Sequence, residues 1–122
     1  MVTSVTSFGR SGLYDWLVQR ISAVVLLLYI LFLLGRFLMS PDLQYSDWQA
    51  LFSHTWMRVF SLASLLALCA HAWIGMWTIA TDYLTETMLG RAATTIRFLF
   101  LFVCLLVLFS YFVWCIQILW SI

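Results

Sequence analysis

Three long apolar stretches, separated by two short polar connections, dominate the pattern of this chain. Runs without a carboxylate or an arginine cover residues 21–35, 59–81 and 98–122. Each approaches or exceeds the roughly 20 residues that an α-helix needs to cross about 30 Å of hydrocarbon. The pattern therefore predicts an all-α integral membrane protein, in which transmembrane helices at about 16–39, 56–80 and 94–120 form one domain over residues 1–122.

The polar segments predict where these helices begin and end. Residues 1–15 contain closely spaced glycines, which favour a loop, and Asp15 suits the positive end of a helix dipole. Pro41 ends the first helix because proline cannot continue the backbone hydrogen-bond ladder. The connection at 40–55 contains Tyr and Trp, the aromatic types of a bilayer interface, and can hold a short surface helix.

The composition agrees with lipid as the solvent. Hydrophobic residues make up 65% of the chain and charged residues 9%, whereas soluble domains are about half apolar and a quarter charged. A chain of 122 residues could not bury so much apolar surface in a core of its own. The net charge of +1 gives no indication of nucleic-acid binding.

Other sequence features predict a resident membrane protein with a defined orientation. No A-x-A cleavage site follows the first apolar run, so that run is interpreted as a helix and not as a signal peptide. The cysteines lie in apolar runs without C-x-x-C spacing and are interpreted as structural. Four arginines (Arg10, Arg20, Arg91 and Arg97) lie on one side of the predicted membrane and two (Arg36 and Arg58) on the other. The positive-inside rule then predicts a cytoplasmic N-terminus and a periplasmic C-terminus.

Helix two carries an ionisable side chain, His71, near the middle of its apolar run. A polar group at that depth is costly and suggests a function. Small and polar residues recur along the same face at helical spacing, and such a face is expected to contact other helices. These residues are Ser61, Ser64, Ala67, Gly75, Thr78 and Asp82.

Two interpretations of His71 follow from its position. Imidazole suits haem iron, and two imidazole ligands leave no open coordination position, which suits electron transfer. Alternatively, His71 hydrogen-bonds a neighbouring helix without any cofactor. The other histidine, His54, lies in the outer connection, so a buried haem would need its second ligand from another polypeptide. Arg20 could bind a haem propionate or could extend to lipid head groups.

The cytoplasmic end of helix two carries a second candidate site. Tyr83 lies about 18 Å along the helix axis from His71. Asp82 lies at the C-terminal end of helix two, where the helix dipole favours a cation and disfavours a carboxylate. A residue at an unfavourable position suggests that it has a function. A tyrosine hydroxyl at the membrane surface could donate to a quinone carbonyl, and Asp82 could tune it or relay a proton. A membrane-interface aromatic is the alternative interpretation of Tyr83.

Two motifs carry a resemblance to a known family. Residues 9–16 read Gly-Arg-Ser-Gly-Leu-Tyr-Asp-Trp, with Arg20 following, and residues 71–77 read His-Ala-Trp-Ile-Gly-Met-Trp, followed by Thr-Asp-Tyr at 81–83. In these motifs the chain resembles the small hydrophobic membrane-anchor subunits of bacterial succinate dehydrogenase, the cytochrome b556 anchors.

The resemblance implies a four-chain complex in the bacterial inner membrane. A flavoprotein subunit oxidises succinate, an iron-sulfur subunit passes the electrons on, and two anchor chains form a shared helical bundle around one haem b. The complex links the tricarboxylic acid cycle to the respiratory chain, and an anchor chain alone is not an enzyme. By resemblance, His71 is an axial haem ligand and Arg20 lies near the propionates, whereas Tyr83 hydrogen-bonds ubiquinone beside Asp82.

Two other functions stay open at this stage. The chain could be the anchor of a haem-free fumarate reductase, against which the buried His71 weighs. It could also be a haem-free accessory or assembly protein of the membrane, in which His71 bonds across helices. The absorption spectrum of the purified complex would separate these possibilities from a haem-containing anchor.

Overall fold

The computed structural model describes residues 12–121, and this part of the chain is helical without strands. The elements in chain order are α1 (Gly12–Met39), α2 (Tyr45–Ser53), α3 (Thr55–Tyr83), α4 (Glu86–Leu89), a 3₁₀ turn (Gly90–Ala92) and α5 (Ala93–Ser121). Three helical stretches are long and apolar enough to cross a membrane: Gly12–Met39, Thr55–Tyr83 and Glu86–Ser121. The predicted all-α class with three membrane-spanning helices is confirmed.

Helix α1 begins about one turn before its predicted start. Residues 12–15, expected in a loop, are helical, and Asp15 lies in the first turn, where its charge faces the positive end of the dipole. The rest of the expected loop, residues 1–11, lies outside the described residues. The helix ends at Met39, and Leu43 N–H bonds to the Ser40 carbonyl (3.1 Å) in a turn around proline.

The two connections are more ordered than the polar pattern alone indicated. The short surface helix in the first connection is present as α2, where the Gln44 backbone N–H donates to Asp47 Oδ2 at 2.8 Å. This bond satisfies one donor at the start of the helix. The second connection contains α4 and the 3₁₀ turn, which were not predicted. Gly90 joins them with a φ of 68°, a conformation that side chains disfavour.

Helix α3 is the central element of the bundle, because α1 and α5 both pack against it. Towards the start of α3, Tyr29 meets Phe60 edge to face with ring centroids 5.0 Å apart. Phe32 meets Trp56 in the same manner at 5.8 Å. Edge-to-face pairs of this kind stabilise the α1–α3 contact beyond the area they bury.

The buried positions of the bundle include several small residues, whereas large apolar side chains face outward. Ser22, Ser61 and Ser64 are buried among the described residues, and most of the leucines and phenylalanines of α1 and α5 are exposed. Lipid is as apolar as leucine, so close packing of small residues and interhelical hydrogen bonds hold membrane helices together. The Tyr29 hydroxyl and Ser61 Oγ, 2.7 Å apart, form one such bond.

The Tyr29–Ser61 bond can be measured with a double-mutant cycle. Tyr29→Phe and Ser61→Ala each remove the bond, so we expect a coupling free energy of about 0.6 kcal/mol between them. The measurement is the free energy of unfolding of the chain in mixed micelles. Strict additivity of the two substitutions would mean that the bond contributes nothing to stability.

Candidate functional site

His71 lies on the face of α3 that contacts α1. Its Nδ1 is 2.9 Å from Ser22 Oγ, which makes a hydrogen bond between the two helices. Ser22 is almost fully buried, with 4% of its surface exposed, and the histidine is half-buried. The interhelical hydrogen bond considered from the sequence is therefore present, and it engages one ring nitrogen.

The other ring nitrogen of His71 has no hydrogen-bond partner among residues 12–121. Within the same residues, no group of three or more His, Cys, Asp or Glu side chains could enclose a metal ion. Among the described residues, His71 is therefore an imidazole outside any cluster of metal ligands, with one bonded nitrogen. Such a group can supply one ligand to a metal that other groups also hold.

The small and polar face of α3 contacts α1 over only part of its length. Ser61 and Ser64 are buried, and Gly75 faces Gln19, whose Nε2 would lie 3.9 Å from an added Cβ. This part confirms the expected contact with another helix. Thr78 and Asp82, nearer the end of α3, are exposed. The face thus passes from a helix contact to an open surface at about the level of Gly75.

An apolar cavity of about 380 Å³ opens between α1, α3 and α5, further towards the start of α3 than His71. Tyr29, Ser61 and Ser64 contribute polar atoms to its otherwise apolar wall. Among the described residues, the buried Ser64 Oγ has no hydrogen-bond partner. The cavity lies in the predicted hydrocarbon region, so its walls suit an apolar occupant.

Arg20 lies on a different side of α1 from Ser22. Two residues along a helix correspond to a rotation of about 200°, so the arginine points away from the Ser22–His71 contact. Its side chain is exposed, and the guanidinium carbon lies 5.5 Å from the centre of the Trp16 ring. This cation–π contact keeps the charge close to the helix surface. The structure therefore does not bring Arg20 and His71 together within this chain.

Asp82 and Tyr83 form the last residues of α3, and both are exposed. Because α3 is one uninterrupted helix, its geometry places Tyr83 about 18 Å along the axis from His71. The hydroxyl of Thr81 bonds back to the carbonyls of Trp77 (3.1 Å) and Thr78 (3.2 Å). Within residues 12–121, the Asp82 carboxylate and the Tyr83 hydroxyl make no hydrogen bond.

Ser22 is the residue of the site that was not singled out from the sequence. Polar residues follow one face of α1 at helical spacing, and Ser22 lies one turn after Gln19 and two turns after Asp15. This spacing inside an apolar run was a usable signal. It marks the side of α1 that faces another helix, although it does not identify the partner.

Comparisons with known proteins match nearly the whole chain. A family model described as "Succinate dehydrogenase/Fumarate reductase transmembrane subunit" matches residues 3–117. A protein of Coxiella burnetii (strain RSA 493 / Nine Mile phase I), named succinate dehydrogenase hydrophobic membrane anchor subunit, is 43% identical over 112 residues. That alignment covers 92% of this chain and 91% of the relative.

Proposed function

The chain belongs to the family of succinate dehydrogenase/fumarate reductase transmembrane subunits, and from this premise we propose that it anchors a succinate:ubiquinone oxidoreductase and binds haem b through His71. The observation that carries the haem proposal is that the two ring nitrogens of His71 have different surroundings. Nδ1 bonds to Ser22 at 2.9 Å, and Nε2 is left without a partner in the described chain. Ligating histidines commonly hold one nitrogen by a hydrogen bond while the other binds metal.

The second axial ligand comes from a partner anchor chain in this proposal. His54 is exposed between α2 and α3, far along the chain from His71. The haem supplies one-electron transfer, and this chain supplies one ligand and a polar contact for that ligand. Arg20, exposed on α1, is the proposed partner of a propionate, since a guanidinium can bind a carboxylate bidentately.

The proposed quinone site uses the exposed end of α3. Tyr83 donates its hydroxyl hydrogen to a quinone carbonyl, and Asp82 lies beside it to tune the hydroxyl or relay a proton. Both side chains lack partners within residues 12–121, so a ligand can bind without breaking an internal bond. The other walls of this site belong to the second anchor chain and the iron-sulfur subunit, which receives electrons from the flavoprotein subunit.

The proposed location is the bacterial inner membrane, with α3 ending at the cytoplasmic face. The arginine distribution supports a cytoplasmic N-terminus and a cytoplasmic α3–α5 connection. Electrons from a cytoplasmic iron-sulfur subunit would then arrive at the end of α3 that carries Tyr83. The complex couples succinate oxidation in the tricarboxylic acid cycle to the respiratory quinone pool.

The haem proposal is tested by replacing each histidine of the chain. We expect His71→Ala to abolish the low-spin b-type spectrum of the purified complex, because one axial ligand is lost. His54→Ala is the matched control and should leave the spectrum unchanged. Unchanged haem content and spectrum in His71→Ala would contradict the ligand assignment and leave the bond to Ser22 as the role of His71. An unsubstituted complex without haem absorption would instead favour the haem-free accessory protein.

The quinone proposal is tested with Tyr83→Phe, which removes only the hydroxyl. We expect quinone reduction by succinate to slow roughly 2- to 10-fold, as for a lost hydrogen bond of about 0.5–1.5 kcal/mol. Succinate oxidation by an artificial dye should be unaffected. Tyr111→Phe is the control. The exposed fraction of Tyr111 (57%) is similar to that of Tyr83 (62%), but Tyr111 lies on α5. Equal loss of both activities in Tyr83→Phe would indicate a structural role.

The proposed orientation is tested by labelling introduced cysteines in intact cells. Ser46→Cys lies on α2 and Thr87→Cys on α4, and both positions are exposed. A thiol reagent that cannot cross the inner membrane should label the first from the periplasm. It should label the second only after lysis. The unsubstituted chain gives the baseline, and the opposite labelling pattern would reverse the orientation.

A further inference from the structure

We propose that Ser22 is a positioning residue that holds His71 in the tautomer whose Nε2 lone pair can bind iron. The inference rests on the proposed function, in which His71 Nε2 is an axial ligand. It concerns a different residue on a different helix and a different property, namely which ring nitrogen carries the hydrogen. That property follows from a count of hydrogens around Ser22 Oγ.

The Ser22 hydroxyl has one hydrogen and two polar neighbours. Its Oγ lies 3.1 Å from the backbone carbonyl of Gln19 and 2.9 Å from His71 Nδ1. A carbonyl oxygen can only accept, so Ser22 must give its hydrogen to Gln19 if both bonds form. The remaining bond then requires His71 to donate Nδ1–H to Ser22 Oγ. In a neutral imidazole, this leaves the lone pair on Nε2, where a metal can bind.

With the opposite tautomer of His71, Ser22 can make only one of its two hydrogen bonds. With the hydrogen on Nε2, the Nδ1 lone pair would need the hydrogen of Ser22, and the Gln19 contact would lose its donor. The hydrogen on Nε2 would also occupy the position that iron needs. The two contacts of Ser22 therefore favour the tautomer that is competent for ligation.

The bond also has an electronic consequence. A hydrogen bond that accepts Nδ1–H raises the basicity of the imidazole. A more basic axial ligand stabilises the oxidised iron relative to the reduced iron, which lowers the midpoint potential. Burial of Ser22 and its bond to the backbone of its own helix hold the acceptor in place.

The chain offers a matched control for this inference. Ser61 is also a buried serine, with 5% of its surface exposed against 4% for Ser22. It too forms a hydrogen bond between α1 and α3, but its partner is Tyr29. Ser61→Ala and Ser22→Ala therefore remove similar interhelical bonds, and only the second involves His71.

The experiment is a potentiometric titration of the haem in the complete complex, purified with its partner subunits. We expect Ser22→Ala to raise the ferrous-to-ferric ratio at a given potential by up to about tenfold. For a one-electron couple, this is a rise of up to about 59 mV in midpoint potential. The low-spin electron paramagnetic resonance signal should shift as well. Ser61→Ala should match the unsubstituted complex in both measurements.

An isosteric pair keeps the test decisive if Ser22→Ala does not assemble. Ser22→Thr retains a hydroxyl that can bond to the carbonyl one turn earlier, whereas Ser22→Val has a methyl group in its place. The threonine variant should resemble the unsubstituted complex and the valine variant should show the raised potential. Equal potentials in Thr and Val variants, or in Ser22→Ala and Ser61→Ala, would overturn the inference.

The His71→Ala complex separates this failure from failure of the proposed function. If it keeps the haem and spectrum of the unsubstituted complex, His71 is not a ligand and the proposed function fails. If it loses the spectrum while all Ser22 variants keep the original potential, His71 is a ligand and only the role of Ser22 is overturned.

Discussion

Hydrogen bonds between helices, made where no water can replace them, are the constraint on which the structure depends. The hydrocarbon interior offers polar side chains few partners other than protein, so a bond between two such groups on neighbouring helices is favourable there. On the α1–α3 interface, Tyr29 meets Ser61 and Ser22 meets His71. These two contacts join α1 to α3 at two levels of the bundle. They also decide which atoms of His71 remain available for chemistry.

The central position of α3 follows from the same constraint. It carries small and polar residues on the face towards α1 and packs against α5 as well. An unbroken helix is a rigid spacer, so the imidazole and the Asp82–Tyr83 end keep their separation of about 18 Å. The proposed haem ligand and the proposed quinone partner thus lie on one helix, at two levels along its axis.

Much of this arrangement could be predicted from the sequence because the bilayer imposes simple rules. Length and hydropathy were sufficient for three spans, and proline placed the end of α1 correctly. The start of α1 and the end of α3 differed because polar residues beside an apolar run can continue the backbone ladder. At the end of α3, for example, the Leu84 N–H bonds to the Ala80 carbonyl at 3.2 Å. A charged or polar residue near the interface does not by itself end a helix.

The partner of His71 could not be predicted in the same way, since it depends on how two antiparallel helices align. A shift of one turn along α1 would place a different side chain opposite the imidazole, and single-helix periodicity does not determine that register. The register sets the hydrogen bonding of His71 as well as the packing. Ser22 donates its hydroxyl hydrogen to the Gln19 carbonyl, so its Oγ is left as an acceptor beside Nδ1. An alanine at the same position would keep the close contact between the helices and would leave the tautomer of His71 unconstrained. The serine at position 22 of α1 therefore contributes both to the α1–α3 contact and to the tautomer of His71 on α3.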